Sequence, residues 1–177
     1  IYDNLNRHNQ ITYADGTTNV LTFDANGNVV AIVDAAGATT NLVYDAINRL
    51  ITKDYPGAND DSYSYDAGGR MLTANNSDAT VSFVYDAANR MISETLNGRT
   101  TSYIHDIPGN KNTVNYPGGR SIERVSDQRG RLVEVREGAS VIATFEYDMA
   151  DRLLKKSYPA TGTETNYAYD ANDRLIS

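Results

Sequence analysis

The stretch Tyr63-Ser64-Tyr65-Asp66-Ala67-Gly68-Gly69-Arg70-Met71 decides the fold, because its parts return along the whole chain. With an aromatic residue followed by Asp as the marker, it recurs at Tyr2-Asp3, Phe23-Asp24, Tyr44-Asp45, Tyr65-Asp66, Tyr85-Asp86, Tyr147-Asp148 and Tyr169-Asp170. His105-Asp106 and Ser126-Asp127 fill the gap as degenerate copies. Successive Asp residues are 20 to 22 apart throughout, which defines nine units. Repetition at a fixed period marks an array in which each unit packs mainly on its neighbours.

The remaining columns assign roles. Three residues after the Asp stand Asn6, Gly27, Asn48, Gly69, Asn89, Gly109, Gly130, Asp151 and Asp173. Only Asn, Gly and Asp occur there, and these tolerate the left-handed backbone that a tight turn demands. The next column reads Arg7, Asn28, Arg49, Arg70, Arg90, Asn110, Arg131, Arg152 and Arg174. A mostly apolar column follows, Val29, Leu50, Met71, Met91, Leu132, Leu153 and Leu175, with His8 and Lys111 as exceptions. The best-kept units thus place Tyr44, Asp45, Asn48 and Arg49; Tyr65, Asp66, Gly69 and Arg70; Tyr85, Asp86, Asn89 and Arg90; Tyr147, Asp148, Asp151 and Arg152; and Tyr169, Asp170, Asp173 and Arg174 as structural positions.

A second turn falls half a period away, signalled by Asp15-Gly16, Gly37, Pro56-Gly57, Ser77-Asp78, Asn97-Gly98, Pro117-Gly118-Gly119, Glu137-Gly138 and Thr161-Gly162. Asn-Gly and Asp-Gly between β-prone runs are strong hairpin signals. The runs between turns, such as Thr80-Val81-Ser82-Phe83-Val84-Tyr85, alternate as strands do, and no window carries a convincing helical period. Each unit therefore reads as strand, turn, strand, turn. The expectation is an all-β fold, a single array over residues 1–177 of about 17 or 18 antiparallel strands in one long sheet that twist forces to curve. The chain starts and stops inside a repeat, so it is expected to be a piece of a longer polypeptide, truncated at both ends. Strand edges at those ends are expected to allow edge-to-edge self-association.

Composition narrows the function classes. Thirteen Tyr against 3 Phe and no Trp make tyrosine the main aromatic, suited to half-wet sites with its apolar ring and polar tip. A net charge of −7 argues against nucleic acid and anionic membrane surfaces as partners. No apolar stretch approaches a membrane span, and the chain has no cysteine.

The row of carboxylates from Asp3 to Asp170 invites a calcium or acid–base reading. Calcium needs six to eight oxygens on one point, whereas equivalent residues two strands apart are about 9–10 Å from one another. The better reading makes each Asp an acceptor for N–H groups of its own turn, with the Arg four residues on offsetting the charge. The tyrosine column reads either as a sugar-stacking platform or, since it recurs in register, as a ladder of cross-strand aromatic contacts. His8 and His105 are isolated, so no catalytic, cofactor or metal site is expected.

The pattern in Tyr63–Met71 and again in Tyr167-Ala168-Tyr169-Asp170-Ala171-Asn172-Asp173-Arg174-Leu175 resembles the RHS/YD-repeat family, from Tyr2 to Leu175. That resemblance implies a β-sheet strip that spirals into a hollow shell. Bacterial members, including Tc toxin shell components, use it to hold a C-terminal toxin, and the teneurins carry a related shell at the cell surface for adhesion. It implies a structural, non-enzymatic module that encapsulates toxin or other polypeptide cargo, with the rest of the same polypeptide as partner. The alternative it leaves is a cell-surface adhesion or carbohydrate-binding module contacting a glycan or surface receptor. Either implies a secreted or surface protein, bacterial in the first case. Many bacterial members end the shell in an autoproteolytic core with an Asp-Pro motif. Asp106-Ile107-Pro108-Gly109 has one residue too many for it and falls in register as a repeat turn.

Overall fold

A computed structural model describes every residue of the chain except Ala58. Among the described residues there are sixteen strands and no helix, and the strand order in the sheet is the chain order. The chain falls into two compact units.

Unit 1 comprises Ile1–Phe83 and Thr95–Gly98. It holds β1 (Gln10–Thr12), β2 (Thr18–Phe23), β3 (Val29–Val33), β4 (Thr39–Tyr44), β5 (Leu50–Asp54), β6 (Asp61–Tyr65) and β7 (Met71–Asn75). Strands β8 (Thr80–Tyr85) and β9 (Met91–Leu96) are each divided between the units. Unit 2 comprises Val84–Glu94 and Arg99–Ser177. It holds β10 (Arg99–Asp106), β11 (Lys111–Asn115), β12 (Ser121–Ser126), β13 (Leu132–Glu137), β14 (Ser140–Tyr147), β15 (Leu153–Tyr158) and β16 (Thr163–Asn166).

The marker aromatic pairs with the residue six positions on: Phe23 with Val29, Tyr44 with Leu50, Tyr65 with Met71, Tyr147 with Leu153. Each of these pairs is preceded by a register shift, as between Val43 and Tyr44. The turn chemistry explains it. In the second of these hairpins Asn48 N–H donates to the Asp45 carbonyl at 3.0 Å, Asp45 N–H donates to the Arg49 carbonyl at 2.9 Å, and Asn48 has φ 63°. That is a type I turn closed by a left-handed residue, which puts one extra residue into the returning strand as a bulge. The half-period turn at Asp34–Ala38 has the same geometry, with Gly37 left-handed.

Two expectations need correction. Among the described residues the strand count is sixteen rather than about 17 or 18, because the outermost units pair only as single bridges, Tyr2 with His8 and Tyr169 with Leu175. The degenerate unit at Asp106 is out of register: the left-handed residue is Asn110 (φ 52°), and Gly109 does not take that role. Its turn starts one residue late, with Asn110 N–H donating to the Ile107 carbonyl at 3.1 Å. Pro108 explains the slip, since its fixed φ favours the second position of a type I turn and so makes Ile107 the first. Asp106 is then left in the strand, paired with Lys111 without a bulge.

Burial is shallow. Ile122 (7% exposed) and Ala143 (4%), both in unit 2, are the buried apolar residues among those described. Most strand residues are half-buried, and β4 alternates exposed with half-buried along its length. Stability must therefore come from neighbouring strands and from the corners that join them.

Candidate functional site

The feature that recurs with the most side-chain chemistry is the corner between marker strand and returning strand. At Asp45, Oδ1 accepts the N–H groups of Ile47 and Arg49, each at 3.0 Å. Its Oδ2 accepts Arg49 Nε at 2.7 Å. One carboxylate thus satisfies two turn amides and fixes a guanidinium. The same Oδ2 pairing joins Asp3 to Arg7, Asp66 to Arg70, Asp86 to Arg90, Asp127 to Arg131, Asp148 to Arg152 and Asp170 to Arg174, all within 2.6–2.7 Å. In the Asp24 unit the Asn28 amide substitutes, at 2.9 Å.

These contacts set the electrostatics. The Arg49 backbone N–H first, and its guanidinium after partial burial is overcome, hold the Asp45 carboxyl below its ordinary range. Asp3, Asp66, Asp86, Asp148 and Asp170 are lowered in the same way. At Asp24 the leading cause is the Asn28 side chain, and at Asp127 the Arg131 side chain. Each group is kept charged, as an ion-paired turn acceptor is and a general acid is not.

The arginine also reaches forward, a link that the sequence reading lacked. Arg49 Nη1 donates to the Asp66 carbonyl at 2.9 Å, and Arg131 Nη1 to the Asp148 carbonyl at 3.0 Å. The guanidinium lies over the aromatic ring of the next unit for Arg7 on Phe23 (4.3 Å), Arg49 on Tyr65 (4.7 Å), Arg131 on Tyr147 (5.0 Å) and Arg152 on Tyr169 (5.0 Å). At three left-handed positions the preceding unit's side chain is received: Asp151 from Arg131 (2.8 Å), Asp173 from Arg152 (2.6 Å), Asn48 from Asn28 (2.7 Å). Those columns are 16 or 17 residues apart for Arg and ring, a regular spacing that the sequence contained.

The tyrosines close the link from the other side. Tyr65 Oη donates to the Leu50 carbonyl (3.0 Å), Tyr147 to Leu132 (2.9 Å) and Tyr169 to Leu153 (3.0 Å), each in the preceding unit. His105, in the same slot, has Nε2 2.9 Å from the Met91 carbonyl. The expected ring-on-ring ladder is not what holds the column: among the described residues the one aromatic pair is Tyr2 with His8. Rings two strands apart are too distant to touch at about 9–10 Å, against the 4.5–7 Å of aromatic pairs, and guanidinium groups fill the interval.

One corner departs from this plan. Asp106 Oδ1 accepts the Gly109 N–H at 3.0 Å, and no arginine pairs with it among the described residues. The slot four residues on is Asn110, the next ring slot is Ser126, and Lys111 Nζ turns to Glu123 at 3.4 Å. A groove of about 280 Å³ lies there, lined by Asp106, Asn110, Asn112 and Ser126 among others. Among the described residues, no group of three His, Asp or Glu side chains is placed to hold a metal ion, and no helix is long and apolar enough to cross a membrane.

A chain of recurring Asp-centred corners, most of them linked to the next by an arginine, defines a structural β-repeat protein of the Tyr-Asp type. The chain belongs to the RHS/YD-repeat family: the RHS repeat model matches residues 23–60 and 147–177, and the teneurin YD-shell model matches 55–137. Among solved structures it is similar to the crystal structure of TcdB2-TccC3-Cdc42, with TM-score 0.67 and 18% identity over 93% of this chain and 10% of that one. A Photorhabdus luminescens Tc holotoxin pore matches with TM-score 0.50 and 21% identity over 93% of this chain and 9% of that one. A curated relative, double-stranded DNA deaminase toxin A of Burkholderia cenocepacia, is 24% identical over 95% of this chain and 13% of its own length. The chain thus spans about a tenth of the length of the proteins it resembles.

Proposed function

We propose that residues 1–177 form a single wall module of an RHS/YD shell that encloses a C-terminal toxin or other polypeptide cargo. The carrying observation is the forward link at the corners: Arg49 and Arg131 spend their donors on the next repeat, in series along the sheet. A barrier needs contacts of this kind between neighbouring repeats more than it needs a convergent pocket. The toxin relative and the Tc holotoxin among the similar structures support the choice of cargo. A shell of this kind acts outside the cell that makes it, which supports reading the chain as part of a secreted bacterial protein.

Limited proteolysis of the full polypeptide that contains these repeats tests the reading. The cargo segment is expected to resist protease until the corners are weakened, for example by Arg49→Ala with Arg131→Ala, and then to be cut before the wall is. Equal cutting of the cargo in both proteins would overturn it.

A further inference from the structure

The corner at Asp106 differs from the others in the partners of its carboxylate. In seven corners the carboxylate of the marker Asp holds its own arginine, and in an eighth it holds Asn28. In several of these, that guanidinium occupies the interval before the next unit's ring. At Asp106 two substitutions and a slipped turn coincide. Asn110 stands in the arginine slot and Ser126 in the ring slot, and the one-residue slip sends the Lys111 ammonium to Glu123. The groove of about 280 Å³ lies between the two turns, where elsewhere guanidinium and ring pack.

We infer that this groove binds an arginine of the enclosed cargo, with the guanidinium on the Asp106 carboxylate; the choice of cargo as its source rests on the shell reading. The chemistry favours a planar cation. The Asp106 carboxylate is exposed, with one backbone amide as its partner. Ser126, whose hydroxyl can accept, also lines the groove, while Asn112 Oδ1 is engaged by His105 Nδ1 at 2.9 Å. A guanidinium presents a flat fork of donors to such a set, where a lysine presents a compact point charge. Lys111 also lines the groove, with its ammonium on Glu123 at 3.4 Å. The net charge of −7 favours approach of a cationic segment.

The test is an amide NMR titration of the isotope-labelled chain with acetyl-Gly-Arg-Gly-amide, acetyl-Gly-Lys-Gly-amide and acetyl-Gly-Tyr-Gly-amide. The arginine peptide is expected to bind on the order of tenfold tighter than the lysine peptide, with shifts centred on Asp106, Asn110 and Ser126. Asp106→Asn, which keeps the shape, and Ser126→Tyr, which restores the usual ring and fills the groove, are each expected to abolish that preference. Equal binding of the arginine and lysine peptides, preference for the tyrosine peptide, shifts centred elsewhere, or an unchanged preference in folded Asp106→Asn would each overturn the inference. Should Asp106→Asn not fold, Ser126→Tyr decides alone. Loss of arginine selectivity with cargo still protease-resistant sinks this inference and leaves the shell reading; the reverse pair of results does the opposite.

Discussion

Asn48 has φ 63°, and Asn6, Asn89, Asp151 and Asp173 are close to it at the same place in their units, between 59° and 66°. A side chain with a Cβ is strained there by about 1–2 kcal/mol unless it can bond locally, which is why the column admits only Asn, Asp and Gly. Asn48→Gly should therefore be nearly neutral, losing only the exposed amide contacts from Asn26 and Asn28, while Asn48→Ala should cost about 1–2 kcal/mol in urea unfolding. In the slipped unit the penalty should move with the turn: Asn110→Ala should behave like Asn48→Ala. Gly109→Ala should be harmful for another reason, since a Cβ there would fall 2.1 Å from Asp106 Oδ2. That harm should largely vanish in an Asp106→Ala background. Equal sensitivity of Gly109→Ala in both backgrounds would contradict the assignment.

At the scale of the element, the corner works because one carboxylate serves two purposes, closing its own turn and aiming an arginine at the next. Its charge is what does both. The marker Asp residues have folded pKa values below the ordinary carboxylate value, with Arg backbone amides the leading cause in most units. A lowered folded pKa gives stability that is complete above the unfolded value, near 3.9, and is lost as pH falls through the folded values. The thermal midpoint should therefore be level from about pH 7 to 5 and should fall steeply below about pH 4. A midpoint that holds steady to about pH 2 would mean that the carboxylates contribute nothing as anions.

Across the whole molecule, the fold was legible because backbone demands write themselves into single columns. The left-handed residues, the marker Asp and the alternating strands each restrict residue type at one position, and nine copies make the restriction visible. What was not legible required two positions at once. The arginine's reach to the next ring joins columns 16 or 17 residues apart. The slip at Asp106 depends on Pro108 outweighing the Asp that the alignment favours. The aromatic column recurs as a ladder of cross-strand contacts would, but its rings sit about 9–10 Å apart along the sheet, too far to touch. Tyrosine instead meets a guanidinium on its face and a carbonyl at its tip, so each unit is held by its predecessor. The central claim is that such units in series make a wall around another segment of the same polypeptide. Cryo-electron microscopy of the full polypeptide tests it most directly. The account predicts that these repeats line a closed space with density for an enclosed segment on one side of the sheet; repeats exposed to solvent on both faces, with no enclosed segment, would contradict it.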